Sequence, residues 1–250
     1  MLRDDYMKRF EKLTRSEAEG RLRFLTVLHS VVALDKKAVM KAVQGMETAL
    51  SRVFDGSEAW ALGAVEVEIV NVELLRRIGA GSDDEARKLN VLQRLHETDA
   101  VDATAEHSSS RALVHFHGIV DLVNGNSTLR EELLRERAKE IVAWQRAPYQ
   151  VELKRLFKGR TVLQNVQAIS RYLTKGGNDD LRYGAGSGQE LDEHLDAKIW
   201  RAGTGRADKG GETVADERGL NVGEIVFLDE IWHTLMDRNS GGRGYLVRLG

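Results

Sequence analysis

The chain contains no cysteine. Disulfide staples and thiolate chemistry are thereby excluded, and any metal has to be held by histidine and carboxylate side chains. Long apolar runs are also missing. No stretch approaches the roughly 18 to 20 residues needed to cross a bilayer, and Met1-Leu2-Arg3-Asp4-Asp5 lacks the apolar segment of a secretory signal. These absences predict a cytoplasmic protein without a membrane partner. Nor is there an excess of either charge: 37 lysines and arginines face 39 aspartates and glutamates, a net charge of -2. The whole molecule therefore exerts no general pull on nucleic acid, since that pull comes from net positive charge.

What is present is ordinary for a globular protein, with 42% hydrophobic and 30% charged residues in 250, enough to bury one substantial core. The charge is unevenly spread. Between Leu153 and Lys175 stand Lys154, Arg155, Lys158, Arg160, Arg171 and Lys175 without one acidic residue, which predicts a local basic surface on a neutral protein.

Periodicity divides the chain into strands and helices. Arg23 to Val32 reads as a buried strand, followed by a helix from Lys36 to about Phe54. Trp60 to Asn71 alternates, with Val65, Val67 and Ile69 on one face and Ala64, Glu66 and Glu68 on the other. Arg111 to Val123 is a third strand, closed by the turn signal Asn124-Gly125-Asn126-Ser127. A charged amphipathic helix is expected from Leu129 to about Trp144. The single proline, Pro148, then introduces a fourth strand from Tyr149 to Phe157.

Thr161 to Lys175 opens with the capping-box pair Thr161 and Gln164, keeps apolar residues at 162, 166, 169 and 173, and stops at Gly176-Gly177. From Asn178 to about Gly219 the composition turns glycine-rich and polar, which predicts a mobile segment with a short helix around Leu191 to Arg201. A helix from Ile225 to Arg238 and a short strand at Tyr245 to Val247 complete the reading. Strands mixed with helices of uneven length, without regular βαβ spacing, predict an α+β fold: an antiparallel sheet of about five strands flanked by helices. Residues 1–177 form the expected core, and residues 178–250 the glycine-rich segment plus a helix packing on it.

Chemistry concentrates at three places. His115 and His117 lie two apart in a strand, so their rings emerge on one face about 6 to 7 Å apart along the chain and can converge on one cation. Glu66 or Glu68, on a neighbouring antiparallel strand, can supply a carboxylate beside them, a donor set that suits zinc, manganese or magnesium. Tyr172 and Lys175 stand at i and i+3 on the capped helix and are neighbours on its surface.

The order of these segments resembles the HUH endonucleases, in particular the rolling-circle replication initiators of plasmids and phages. Phe24-Leu25-Thr26-Val27 is similar to the first initiator motif, Val114-His115-Phe116-His117-Gly118 to the His-hydrophobe-His motif, and Tyr172-Leu173-Thr174-Lys175 to the tyrosine motif. In conjugative relaxases of that superfamily the tyrosine precedes the histidines; here it follows them, as in initiators. Transposases of the superfamily share this order but are typically much smaller.

The resemblance implies a ferredoxin-like palm and a nickase. Tyr172 is its nucleophile, aided by Lys175, and Mg2+ or Mn2+ is bound by His115, His117 and one of Glu66 and Glu68. It also implies a single-stranded or hairpin origin DNA held by Lys154, Arg155, Lys158, Arg160 and Arg171, with a host helicase and polymerase as further partners. A DNA-binding protein that keeps the fold without cleaving, or a related transposase of the superfamily, is the alternative.

Overall fold

The computed structural model describes residues 8–10, 12–71, 83–99, 110–123, 126–157, 159–173, 222–238 and 246–250, with the backbone alone at 83–85, 88, 99, 168 and 170–173. Its elements run α1 (Arg15–Arg21), β1 (Leu22–Val32), α2 (Lys36–Phe54), β2 (Trp60–Asn71), α3 (Asp83–Asp99), β3 (Ser110–Asp121), α4 (Ser127–Lys139), a 3-10 turn (Val142–Trp144), β4 (Val151–Arg155), α5 (Val162–Leu173), α6 (Val222–Asp237) and β5 (Leu246–Leu249). The predicted mobile segment, with its short helix, lies outside the described residues.

The five strands form one antiparallel sheet in the order β4-β1-β3-β2-β5. β1 and β2 both run antiparallel to the β3 that separates them, so they are parallel to each other, and α2 makes the crossover between them. β3 and β4 flank β1 in the same way, joined through α4. This is the split β-α-β arrangement, extended by β5 on the far edge, and the α+β class expected from the strand pattern is the class observed.

Strand alternation gives the sheet two faces, and both are covered. On one, Leu25, Val27, Ala61, Val65, Val114, Phe116 and Val120 pack against α2, α4 and α6 through Val43, Met46, Leu50, Leu134, Ile231 and Leu235. On the other, two smaller clusters lie at opposite ends. Leu22, Leu62, Ala64 and Ile119 meet Val166 and Ile169 of α5, while Leu28, Val31, Val70 and Leu113 meet Val91, Leu92 and Leu95 of α3. A bulge between Leu28 and Ser30 resets the alternation of β1. It is this shift of phase that lets Val31 join the α3 cluster while His29 turns toward α2.

Local chemistry explains where elements end. α1 has a complete capping box of Thr14 and Glu17, and Asp35 caps α2 by accepting from the Ala38 N–H at 2.8 Å. α4 stops at Lys139 rather than continuing to Trp144: Ile141 turns extended, and the 3-10 turn after it drops Trp144 into the core. β3 ends at Asp121, whose carboxylate accepts from the Val123 N–H at 2.9 Å, with Val123 at φ 57°. β4 begins only at Val151, because Tyr149, at φ 65°, cannot extend a strand.

Gly118 and Gly63 face each other across β3 and β2. The Phe116 ring lies where their side chains would be: a Cβ at Gly118 would stand 2.7 Å from the ring edge and 2.8 Å from the Leu62 carbonyl, and one at Gly63 would strike the ring and the His117 carbonyl. The glycine that follows the His-hydrophobe-His run thus makes room for the aromatic ring between the two histidines.

Candidate metal centre

Between the two clusters on the α5 and α3 face lies a polar patch. Alternation along β3 sends His115 and His117 to this face, the former fully buried and the latter nearly so. Strand register then selects their neighbours. Glu66 of β2 is directly opposite His115, and Thr26 of β1 directly opposite His117. Glu68 pairs with Leu113 instead, one step further along the same face.

The contacts are close. His115 Nδ1 and His117 Nε2 are 3.0 Å apart, and the Glu66 carboxylate is 3.8 Å from His115 Nε2. On its other side His117 Nδ1 is 3.0 Å from the Thr26 hydroxyl. Phe24 stacks on the His117 ring, with centroids 5.6 Å apart and planes within 4°.

Glu66, His115 and His117 each offer one ligand atom, and these atoms lie within 4.8 Å of one another. Such a group can hold a metal ion. Two imidazoles and a carboxylate are the two-His, one-carboxylate set that leaves further positions open to substrate. Of the two glutamates read from the sequence, Glu66 belongs to this group and Glu68 does not.

Residue 172 belongs to α5, the helix whose Val166 and Ile169 pack on this same face of the sheet. It follows Ile169 by three positions in that helix. The capping box read from the sequence is present: the Gln164 N–H donates to the Thr161 hydroxyl at 3.1 Å, and the Thr161 N–H to the Gln164 side chain at 2.9 Å. Lys175 lies outside the described residues, as does Lys158, and α5 is described at Arg171 by its backbone alone.

The rest of the basic run clusters around the edge strand β4. Lys154 and Arg155 are exposed, although Lys154 is bridged at 2.9 Å by Glu152, the acidic residue just before the run. Arg160 sits over the ring of Phe157, 5.7 Å from its centroid, and that ring is 48% exposed. In the sequence Phe24 and Thr26 stand out only as members of the first motif, with no partner indicated for either, and nothing singles out Phe157. The alternation of β1 puts Phe24 and Thr26 on one face, but only the β1–β3 register shows that this face carries His117.

No helix among the described residues is long and apolar enough to cross a membrane. The chain matches no family model, and no curated protein or solved structure matches it either.

Proposed function

We propose that the protein is a metal-dependent single-strand DNA nickase of the replication-initiator type, with Tyr172 as its nucleophile. One observation carries the reading. The helix that bears position 172 packs on the sheet face that presents Glu66, His115 and His117, so an element with a tyrosine and an element with a metal-ligand set share one surface. The ordered resemblance of the His and Tyr segments to initiators agrees with it.

Glu66, His115 and His117 would hold the cation, Mg2+ or Mn2+. When bound, it supplies Lewis-acid polarisation of a phosphate and offsets its charge. A phenol with a reference pKa near 10 is a weak nucleophile at neutral pH, so placement by α5 and nearby positive charge have to compensate. Tyr172 Oη gives up its proton to solvent and attacks the phosphorus, the bond to the 3'-oxygen breaks, and that oxygen takes up a proton, so no proton is gained or lost overall. The products are a 5'-phosphotyrosine and a free 3'-OH. The ester keeps the energy of the phosphodiester, so the reverse reaction rejoins a strand without ATP, which suits both the start and the end of rolling-circle replication.

The surface around β4 fits the proposed substrate. Lys154, Arg155 and Arg160 supply cations for the phosphates, and the exposed Phe157 ring offers a face on which a base can stack. Single strands are favoured by this combination, because a stacking platform needs a base that is not already paired.

Incubation of the protein with Mn2+ and single-stranded or hairpin origin DNA should yield a covalent adduct on the 5'-phosphate, resolved by denaturing gel. Tyr172→Phe should bind the DNA and form no adduct, and His115→Ala with His117→Ala should lose both cleavage and Mn2+ binding. Undiminished adduct with Tyr172→Phe would remove Tyr172 from its role. Unchanged cleavage and Mn2+ binding in the double histidine variant would overturn the metal-dependent reading.

A further inference from the structure

The polar patch has a fourth member that the donor set does not include. Thr26 is paired in register with His117, and its hydroxyl lies 3.0 Å from His117 Nδ1, the ring nitrogen on the side away from His115. The other ring nitrogen, Nε2, is the one that meets His115 Nδ1. Phe24, two residues before Thr26 on the same face of β1, lies parallel to the ring. One strand segment therefore engages His117 twice, by a ring on its face and by a hydroxyl at one of its nitrogens. The register also places Glu152 of β4 on the other side of Thr26, giving the rank Glu152, Thr26, His117 across three strands.

We infer that Thr26 is the positioning residue of the centre: its hydroxyl accepts the Nδ1 proton of His117 and thereby holds the ring in the tautomer that directs the bare Nε2 lone pair at the cation. This rests on the metal-binding reading above. The physical need is specific. A neutral imidazole carries one proton, and a metal takes only the nitrogen without it, so whatever accepts from the far nitrogen decides which one is free. Threonine suits the task because branching at Cβ stiffens χ1, fixing the direction of the hydroxyl. Thr26 touches no substrate in this scheme and acts through His117 alone.

Two measurements test the inference, both on the full-length chain and neither reading catalysis. Isothermal titration with Mn2+ alone should show Thr26→Val binding about 10- to 100-fold more weakly than wild type, while Thr26→Ser, which keeps the hydroxyl, should stay within about threefold. Long-range 1H–15N correlation on metal-free wild-type protein should find His117 with its proton on Nδ1, and Thr26→Val should show the two tautomers mixed.

Wild-type protein that binds no Mn2+ would overturn this inference together with the metal reading. Wild-type protein that binds Mn2+ while Thr26→Val binds it equally well would overturn the role of Thr26 alone. If Thr26→Val fails to fold, the wild-type spectrum decides, because a proton found on His117 Nε2 is incompatible with the role. Weakening as great in Thr26→Ser as in Thr26→Val would likewise count against the hydroxyl.

Discussion

His29 shows how a single side chain makes this fold sensitive to acid. Its Nδ1 accepts a 2.9 Å hydrogen bond from the Trp144 indole N–H, which requires that nitrogen to be unprotonated. Burial, reinforced by the charge of Arg146, pushes its pKa from 6.5 down to about 4. The folded protein therefore resists a proton that the unfolded chain accepts, and stability rises with pH between the two values. It is fully present above pH 6.5 and is lost as pH falls toward 4, by about 3 kcal/mol in all. Urea denaturation at pH 7 and pH 5 should show the decline, and His29→Leu should flatten the slope over that window.

The same scale shows what residue types alone conveyed about the centre. Two histidines at strand spacing announced a shared face, because the alternation of a strand is a local property. The choice between Glu66 and Glu68 was not legible, for both point the same way from β2, and only the pairing register decides which one meets His115. Thr26 was hidden for the same reason. Register is a relation between distant segments, and nothing within either segment records it.

Elements were legible where their signals are local. α2 runs from Lys36 to Phe54 and β2 from Trp60 to Asn71, as their periodicity indicated, and the Thr161 and Gln164 box marked the start of α5. α1 and α3 were not foreseen. α3 is strongly charged, with much of its burial resting on Val91, Leu92 and Leu95, too few apolar positions to stand out from a polar stretch. β4 proved shorter than its alternation suggested, because the backbone at Tyr149 leaves the extended region.

The pairing of β2 with β3 depends on glycine, which can be tested directly. Gly118→Ala should destabilise the protein by about 1–3 kcal/mol in urea denaturation, since the new methyl group meets both the Phe116 ring and the Leu62 carbonyl. Adding Phe116→Leu should recover part of that loss, a non-additivity expected of groups in contact. Gly20→Ala provides the contrast: nothing lies within 4 Å of its added methyl group, and alanine favours the helix it occupies.

At the scale of the whole molecule, residues from both ends of the chain build one sheet. β5 pairs with β2 from Ala61↔Leu249 to Ala64↔Leu246, and Val247 and Leu249 enter the core beside α6. Deleting residues 246–250 should therefore lower stability by about 3–6 kcal/mol, from two buried side chains at about 1.5–3 kcal/mol each. It should also leave β2 as a bare edge able to pair with another chain. A lower urea midpoint, together with concentration-dependent light scattering, would report both effects; an unchanged midpoint would show that β5 contributes little.

That pairing also sets a timetable. β1 emerges early in synthesis but cannot gain its central partner until β3 has been made, and β2 waits for its outer partner until residues 246–249 have left the ribosome. Pairings between segments so far apart in sequence close slowly, and a strand edge that waits is open to neighbouring nascent chains meanwhile. Glu66, on that waiting strand, comes to rest beside His115 only when β2 and β3 have joined, so the centre is assembled after translation has passed all three of its residues.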